Sequence, residues 1–228
     1  MDGYKRFGLY IVPEGAFYRA GACWLGWDSA AGAQTVQPEP PGLPGEAATL
    51  TATPRKYGFH GTIKPPFRLS VGTQAGDLDA AVRAFCAVQA PVTLPALEVR
   101  RLGGFVAVVP QRPSAALSAL AADTVAALDP FRAPPTGDEL AKRRKADLTE
   151  RQEALLERWG YPYVMAEFRF HLTLTGRLPR HEAEAARDAL AAHFAPVLPA
   201  PWTIDSLCLM GEDAAGMFHL LHRYTLSG

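Results

Sequence analysis

Phe59-His60-Gly61-Thr62-Ile63 is the stretch that decides the fold, and Phe170-His171-Leu172-Thr173-Leu174 repeats its form in the second half of the chain. In both stretches a histidine and a threonine alternate with apolar or small residues. Residues i and i+2 of an extended strand point to the same face. Each stretch therefore predicts a strand with a histidine and a threonine on one face and a core-seeking surface on its back. Two such strands side by side would form a site with two imidazoles and two hydroxyls.

The elements that follow each motif are also repeated. Hydrophobic periodicity predicts a helix and two strands in both halves, at about residues 77–89, 92–101 and 105–109, and again at about 180–194, 202–210 and 217–226. The order of motif strand, helix, strand and strand thus occurs twice. This internal repeat is stronger evidence than a single His-x-Thr, which is common by chance.

The repeat predicts one bilobal α+β domain over residues 1–228. A first motif lobe is expected at about residues 51–130, a connecting helix at about 136–159 and a second motif lobe at about 163–228. An N-terminal strand at residues 4–12 is expected to contribute to the sheets.

A stretch rich in Pro, Gly and Ala precedes the first motif. Residues 35–54 are therefore predicted to form a mobile loop. Because this loop runs directly into the first motif strand, it is placed to act as a flap over the site.

Charge and composition exclude some classes of partner. Lys+Arg and Asp+Glu both number 23, so the net charge is zero, and 48% of the residues are hydrophobic. A zero balance argues against non-specific nucleic-acid binding, which needs a basic footprint, but it does not exclude a locally positive cleft. The basic run at residues 142–145 is offset by nearby acidic residues and is interpreted as part of a solvated helix.

The cysteines and the lengths of the apolar runs indicate the cellular compartment in which the protein is expected. The three cysteines, Cys23, Cys86 and Cys208, are far apart and form no CxxC pair, which favours reduced thiols. The N-terminal residues show no signal-peptide pattern, and no apolar run reaches the length of a membrane span. The expectation is a soluble, cytoplasmic protein with no membrane partner.

The paired motifs suit chemistry on a phosphodiester, which needs a base on the attacking oxygen and an acid on the leaving oxygen. Imidazole titrates near pH ~6.5, so one histidine can be neutral while the other is protonated. A threonine hydroxyl can donate to a non-bridging phosphate oxygen as charge builds there. We therefore predict His60, Thr62, His171 and Thr173 as catalytic residues. The symmetry of the motifs leaves open which histidine is the base.

Neighbouring residues are candidates for substrate binding. Lys64 continues the alternation of the first motif, and Arg169 and Thr175 flank the second motif on the same face. Tyr57 and Arg55 lie just upstream of the first motif and could contact a sugar or a second phosphate if that turn folds over the cleft. Cations at these places would complement a phosphate-bearing substrate. Each could equally be an ordinary surface residue.

No metal or cofactor is predicted. His219 and His222 are three residues apart on a predicted strand, so they face opposite sides and cannot chelate one ion together. The sequence has no HExxH motif, set of four cysteines or carboxylate cluster to supply further ligands.

The paired His-x-Thr motifs resemble those of the 2H phosphoesterase superfamily, which includes 2′,3′-cyclic phosphodiesterases and 2′-5′ RNA ligase-like enzymes. Residues 55–69, residues 168–178 and Trp24-Leu25-Gly26 look like a domain-of-unknown-function branch whose genes lie in phosphonate-utilisation operons. The resemblance implies a bilobal 2H-like fold in which two antiparallel sheets face a central cleft, with helices outside. It also implies catalytic roles for the two motifs. Gly61 stands where alanine is expected, which predicts slightly looser packing on the back of the strand.

The function expected from the motifs and the resemblance is a metal-independent cyclic phosphodiesterase. Its partner would be a small phosphorylated substrate, a cyclic sugar or nucleotide phosphate such as a ribose 1,2-cyclic phosphate with a 5-phosphate. One alternative is an RNA-end 2′,3′-cyclic phosphodiesterase or 2′-5′ ligase-like enzyme. Another is a non-catalytic protein that binds a phosphorylated ligand. The sequence leaves the oligomeric state open.

Overall fold

The computed structural model describes residues 3–228; Met1 and Asp2, which the predicted domain of residues 1–228 includes, lie outside them. The strands are β1 (Arg6–Ile11), β2 (Trp27–Asp28), β3 (Ala33–Gln34), β4 (Gly61–Phe67), β5 (Val92–Leu94), β6 (Leu97–Leu102), β7 (Phe105–Pro110), β8 (Leu172–Thr173), β9 (Trp202–Ile204), β10 (Ser206–Glu212) and β11 (Phe218–Thr225). The helices are α1 (Gly15–Leu25), α2 (Ala47–Leu50), α3 (Ala75–Cys86), α4 (Ala115–Ala127), α5 (Gly137–Arg144), α6 (Glu150–Trp159) and α7 (Arg180–Phe194).

A seven-stranded sheet in the order β11-β10-β1-β4-β8-β7-β6 forms the centre of the molecule. All of its neighbouring strands are antiparallel. Together with the helices, this confirms the predicted α+β class. The first motif strand, β4, and the second, β8, are direct neighbours and pair through Gly61 and Leu172. The two predicted sheets are therefore continuous, because the motif strands join them edge to edge.

The hairpin that follows each motif pairs with the strands of the other motif. The hairpin β6–β7 follows β4 in the chain but lies beside β8. The hairpin β10–β11 follows β8 but lies beside β1, which in turn pairs with β4. Strands from both halves of the chain thus build each half of the sheet, and the predicted lobe boundaries stay a prediction.

The backs of the motif strands form the core. Phe59, Ile63, Phe170, Leu172 and Leu174 are all buried, as their alternation with polar residues predicted. Helices α1, α3, α4 and α7 add buried side chains to the same cluster, among them Trp24, Leu78, Leu117 and Leu190. Burying one such side chain fully contributes about 1.5–3 kcal/mol.

Trp24 also connects the N-terminal helix to the second motif. Its indole Nε1 donates to the carbonyl oxygen of Leu174 at 2.7 Å, so the buried donor is satisfied. Helix α1 ends at Gly26, whose φ of 78° is the left-handed conformation that favours glycine. The Trp24-Leu25-Gly26 element therefore holds the end of the second motif strand.

The predicted connecting helix at residues 136–159 is two helices. Helix α5 begins at a capping box of Thr136 and Glu139, and α6 begins at a second one of Thr149 and Gln152. Asp147 lies between them at φ 47°, which a continuous helix does not allow. The single-helix prediction was wrong because a strong helix start lies inside the segment.

Among residues 3–228, no helix is both long enough and apolar enough to cross a membrane. The cysteines in this part of the chain are free thiols.

Candidate active site

The first motif holds His60 in one tautomer. Its Nδ1–H donates to the carbonyl oxygen of Gly58 at 2.9 Å, and because a carbonyl only accepts, the proton lies on Nδ1. The lone pair of Nε2 then accepts from the hydroxyl of Thr62 at 3.0 Å. The Gly58 carbonyl is placed by a turn with φ 72°, and a Cβ at Gly58 would lie 2.6 Å from Ser29 Oγ. The turn that orients His60 therefore requires glycine.

A tyrosine of the N-terminal strand covers the imidazole of His60. The rings of Tyr10 and His60 are stacked, with centroids 3.8 Å apart and an angle of 19° between the planes. Burial lowers the pKa of His60 from its ordinary 6.5 to about 4; the Gly58 carbonyl opposes this shift and the nearby His171 adds to it. His60 is therefore neutral at ordinary pH.

The second motif repeats the tautomer but not the surroundings. His171 Nδ1–H donates to the carbonyl oxygen of Arg169 at 2.8 Å. Burial lowers the pKa of His171, and the Arg169 carbonyl opposes this shift. The ring of Phe105 lies 5.6 Å from that of His171 at a tilt of 54°, which is a looser contact than the stack on His60. Within residues 3–228, no protein group hydrogen-bonds to His171 Nε2 or to the hydroxyl of Thr173.

The strand register brings the four motif residues together. Gly61 pairs with Leu172 in antiparallel register. Continuing this register by one residue each way sets Thr62 across from His171 and His60 across from Thr173. Side chains directly across an antiparallel pair have Cβ atoms roughly 4.5–5.5 Å apart. The two Nε2 atoms and two hydroxyls are thus predicted to share one face.

A cavity of about 490 Å³ opens on this face. Of the four motif residues, Thr62 and His171 line it, together with Phe105, Tyr161 and Arg169. Its volume falls in the range of small-ligand sites. An imidazole lone pair and a hydroxyl therefore face a space large enough for a sugar phosphate or a nucleotide.

Two of the predicted substrate-binding residues lie near this face. Arg169 is exposed and lines the cavity. Tyr57 is half-buried, with its ring 6.0 Å from that of His60, and it lines a neighbouring cavity instead. Its contact with substrate stays a prediction.

Lys64 does not reach the cavity. Its side chain is 2% exposed, and Nζ donates to the carbonyl oxygen of Val125 at 3.0 Å and to Asp129 Oδ1 at 3.4 Å. Burial lowers its pKa to about 8. The alternation fails here because the pairing of β1 with β4 shifts between Thr62 and Lys64, and such an irregularity turns the next side chain.

Thr175 is also turned inward. Its hydroxyl oxygen accepts from the Val106 N–H at 3.0 Å, and the hydroxyl donates to the carbonyl oxygen of Gly176 at 2.9 Å. Strand β8 ends at Thr173, so the alternation that predicted an outward Thr175 no longer applies. The predicted contact of Thr175 with substrate is not supported by this arrangement.

Hydrogen bonds hold the predicted flap, residues 35–54, against the rest of the protein. Arg55, just after the loop, donates to the carbonyl oxygens of Leu25 at 3.0 Å and Ala48 at 2.8 Å, and to Gln37 Oε1 at 3.0 Å. The carbonyl of Leu50 accepts from the Gly176 N–H at 2.7 Å. These bonds hold the loop to α1 and to the end of the second motif, and they occupy the Arg55 guanidinium, which was expected to contact substrate only if its turn folded over the cleft.

Gly61 does not loosen the packing as predicted. The ring of Phe170 fills the space beside it, and a Cβ at Gly61 would lie 2.3 Å from that ring. The glycine is therefore a close-approach site where the two motif strands pack together.

Sequence reasoning missed two aromatic walls of the cavity, Phe105 and Tyr161. Phe105 reaches the site because β7 pairs with β8, and nothing local marks that pairing. The nearest local signal for Tyr161 is the aromatic pair Tyr161 and Tyr163 just upstream of the second motif.

Comparison with known families gives one match, to a family described as "Protein of unknown function (DUF1045)", over residues 62–219. The matched region includes Thr62, His171 and Thr173 and begins just after His60.

Two curated relatives are both named "Ribose 1,5-bisphosphate phosphokinase PhnN". The protein from Janthinobacterium sp. (strain Marseille) is 41% identical over 222 residues, which cover 94% of this chain and 49% of that protein. The protein from Laribacter hongkongensis (strain HLHK9) is 31% identical over 213 residues, covering 92% of this chain and 49% of that protein. The chain thus spans about half the length of the curated relatives it matches.

Solved structures with a related shape are more distant in sequence. The protein TT0787 of Thermus thermophilus has a TM-score of 0.47 and 16% identity, with 98% of each chain covered. E. coli LigT complexed with 3′-AMP has a TM-score of 0.45 and 14% identity, with 99% of each chain covered. Because these TM-scores lie below 0.5, the assignment of this chain rests on the family match and on its own side chains.

Proposed function

The chain belongs to the family described as "Protein of unknown function (DUF1045)", and on that premise we propose that it is a metal-independent phosphodiesterase of the 2H type. The observation that carries the proposal is the pairing of the two motif strands through Gly61 and Leu172. Continuing that register predicts that the two histidines, each with its proton on Nδ1, and the two threonines share one face of the sheet. A pure binding protein has no need of two imidazoles held in the same tautomer.

In the proposed reaction, a water oxygen attacks phosphorus and the bond from phosphorus to the leaving sugar oxygen breaks. One imidazole Nε2 takes a proton from the water, and the other gives a proton to the leaving oxygen. Each such positioned group contributes typically about 10²–10⁴ in rate. The threonine hydroxyls donate to the non-bridging oxygens, where charge builds in the transition state. The products are a phosphomonoester and a sugar hydroxyl.

We assign the base to His60 and the acid to His171. His60 is held neutral by burial under Tyr10, and its Nε2 carries a lone pair. When the Thr62 hydroxyl turns to a phosphate oxygen, that lone pair becomes free for the water. His171 lines the open cavity, where the charge of a bound phosphodiester favours the protonated imidazole. The difference in surroundings therefore breaks the symmetry of the motifs.

The cavity and the relatives support a proposal for the substrate class. A volume of about 490 Å³ suits one sugar or nucleotide. The name of the relatives refers to a kinase of ribose 1,5-bisphosphate, and this chain matches about half of each of them. We therefore favour a cyclic sugar phosphate, and we extend to this chain the link to phosphonate metabolism implied by the resemblance of its motifs.

The test is phosphodiester hydrolysis in EDTA. Ribose 1,2-cyclic phosphate 5-phosphate is compared with 2′,3′-cyclic nucleotides and with RNA that ends in a 2′,3′-cyclic phosphate. The variants are H60A and H171A, and H181A is the matched control because His181 is an exposed histidine on α7. We expect turnover of the sugar substrate that both motif variants lose and that H181A keeps.

Other outcomes separate the alternatives. Turnover of cyclic-ended RNA alone would move the protein to RNA-end processing. Binding of the sugar phosphate without turnover of any substrate would make the protein a receptor. Full activity in H60A or H171A would overturn the assignment of the site.

A further inference from the structure

A second cavity, of about 300 Å³, carries a concentration of positive charge in a chain with zero net charge. Its lining includes six cationic side chains, those of Arg6, Lys56, Arg68, Arg132, Lys142 and Arg143. They come from distant parts of the sequence, so no linear motif reveals them. The lining includes one carboxylate, that of Glu139.

Half of these cations are neutralised by carboxylates. Ion pairs join Arg6 to Glu212 at 2.5 Å, Arg68 to Glu139 at 3.2 Å and Arg132 to Asp129 at 2.7 Å. In the part of the chain that the structure describes, none of the ion pairs involves the other three cations, Lys56, Lys142 and Arg143. The cavity therefore has an excess of positive charge, which an anion would balance.

Arg143 is held in position without a carboxylate. Its guanidinium carbon lies 4.5 Å from the centre of the Tyr161 ring. Stacking on an aromatic face leaves the N–H donors at the edge of the guanidinium plane open to a ligand. Arg143 is therefore oriented but not neutralised.

A buried hydroxyl at this place lacks a partner. Tyr10 is fully buried, and its hydroxyl has no hydrogen-bond partner among residues 3–228. The side chains that influence the pKa of the Tyr10 hydroxyl include Tyr57, Arg6 and Tyr161. Tyr57 and Arg6 also line the basic cavity. Buried hydroxyls are almost always satisfied. Tyr10 does not itself line the basic cavity, so its unpaired hydroxyl would gain a partner only from a ligand that reaches past Tyr57 and Arg6.

The basic cavity adjoins the motif cleft. A crevice of about 30 Å³ lies between them. It shares Arg132, Arg143 and Gly160 with the basic cavity, and it shares Tyr161 and Val164 with the cleft. The ring of Tyr10 that carries the unpaired hydroxyl also stacks on His60. One substrate molecule could therefore occupy both spaces.

We propose that this cavity binds a second phosphoryl group of the substrate, a phosphomonoester remote from the reacting diester. This inference rests on the proposed function and narrows its substrate to a cyclic sugar phosphodiester that carries a further phosphate. Arg143 and Lys142 supply the charge, and the Tyr10 hydroxyl donates to a phosphate oxygen. The remote phosphate anchors the sugar while its cyclic diester lies at the histidines.

The test measures binding, so it does not require turnover. Ribose 5-phosphate, ribose and inorganic phosphate are titrated by calorimetry into the wild-type protein and into R143A and Y10F. The matched control is K145A, because Lys145 caps the same helix but does not line the cavity. We expect ribose 5-phosphate to bind and ribose not to bind, with R143A weakening binding at least about tenfold and K145A leaving it unchanged.

Y10F adds a readout that a structural role would not give. Removing an unpaired buried hydroxyl should raise the Tm of the free protein while it weakens the binding of ribose 5-phosphate. K142A serves as a second charge variant if R143A does not fold.

Equal affinity of R143A and K145A for ribose 5-phosphate would overturn the subsite. So would equal binding of ribose and ribose 5-phosphate, or binding only of an RNA oligonucleotide used as a further probe. Failure of the proposed function has a different signature. In that case the Arg143-dependent binding of ribose 5-phosphate remains, but no cyclic diester is hydrolysed.

Discussion

The two His-x-Thr strands carry the same side chains in different surroundings. Strand β4 is seven residues long and lies between β1 and β8, and His60, just before it, is stacked on Tyr10 and bonded to Thr62. Strand β8 is two residues long, and His171, just before it, lines the open cavity with Nε2 free of protein partners among residues 3–228. A duplicated motif thus need not give duplicated chemistry. One copy holds a neutral imidazole, and the other presents an imidazole that can gain a proton.

The largest expected effect concerns the histidines as a pair. H60A and H171A should each lower kcat by about 10²–10⁴. The double variant should lose little more than the worse single variant, because base and acid act in one step. Single-turnover hydrolysis of the cyclic diester measures all three. Multiplicative losses in the double variant would mean that the two strands work independently.

Variants of the two threonines should show a further functional difference between the two motif strands. T62V and T173V should each lower kcat by about 10²-fold, since each removes a donor to the phosphate. T62V also removes the bond to His60 Nε2, whereas T173V removes none to His171. The pH profile of kcat/KM should therefore shift on its acidic limb in T62V and not in T173V. Identical profiles would show that the bond to Thr62 does not distinguish the strands.

Gly61, between the histidine and the threonine of the first motif, should reveal how closely the buried faces of the two motif strands approach. G61A should destabilise the protein by about 1–3 kcal/mol, because the new methyl group meets the Phe170 ring. The control is G76A on α3, where a Cβ has nothing within 4 Å and where alanine favours a helix. Thermal unfolding measures both. An unchanged Tm in G61A would contradict the close approach of the two strands.

A further expected effect is in the pH dependence of stability, and it appears only below pH 6.5. The folded-state pKa of His60 is about 4 against an ordinary 6.5, so between these values the unfolded chain binds a proton that the folded protein does not. This histidine therefore costs no stability above pH 6.5 and lowers stability as the pH falls toward 4. H60Q should weaken that loss and H181Q should not, as measured by urea unfolding at several pH values. An equal pH dependence in H60Q and wild type would place His60 in a less buried setting.

The features that depend on residues close together in sequence were predicted from the sequence pattern. The buried backs of both motif strands follow from residues close together in sequence. Lys64 was misplaced because the irregular pairing of β1 with β4 turns it, and that pairing depends on a distant strand. Thr175 was predicted to face the cleft, but β8 ends at Thr173, so the alternation of the strand does not extend to Thr175.

The features that the sequence did not predict depend on contacts between residues that are far apart in the chain. The exchange of hairpins between the two motifs places Phe105 at the second histidine, and no periodicity reveals which strands pair. The basic cavity collects cations as far apart as Arg6 and Arg143. The run at residues 142–145 was interpreted as part of a solvated helix, and Lys142, Arg144 and Lys145 are indeed exposed. The sequence did not show that Lys142 and Arg143 also line a cavity with other arginines.

The most direct test of the paired-histidine account is hydrolysis of ribose 1,2-cyclic phosphate 5-phosphate in ¹⁸O-labelled water with EDTA, followed by ³¹P NMR. The account predicts that the wild-type protein opens the ring and places one ¹⁸O on the reacting phosphorus, and that the double variant of His60 and His171 does not. Ring opening by the double variant at the wild-type rate, or no opening by the wild-type protein of this diester or of any 2′,3′-cyclic nucleotide, would contradict it.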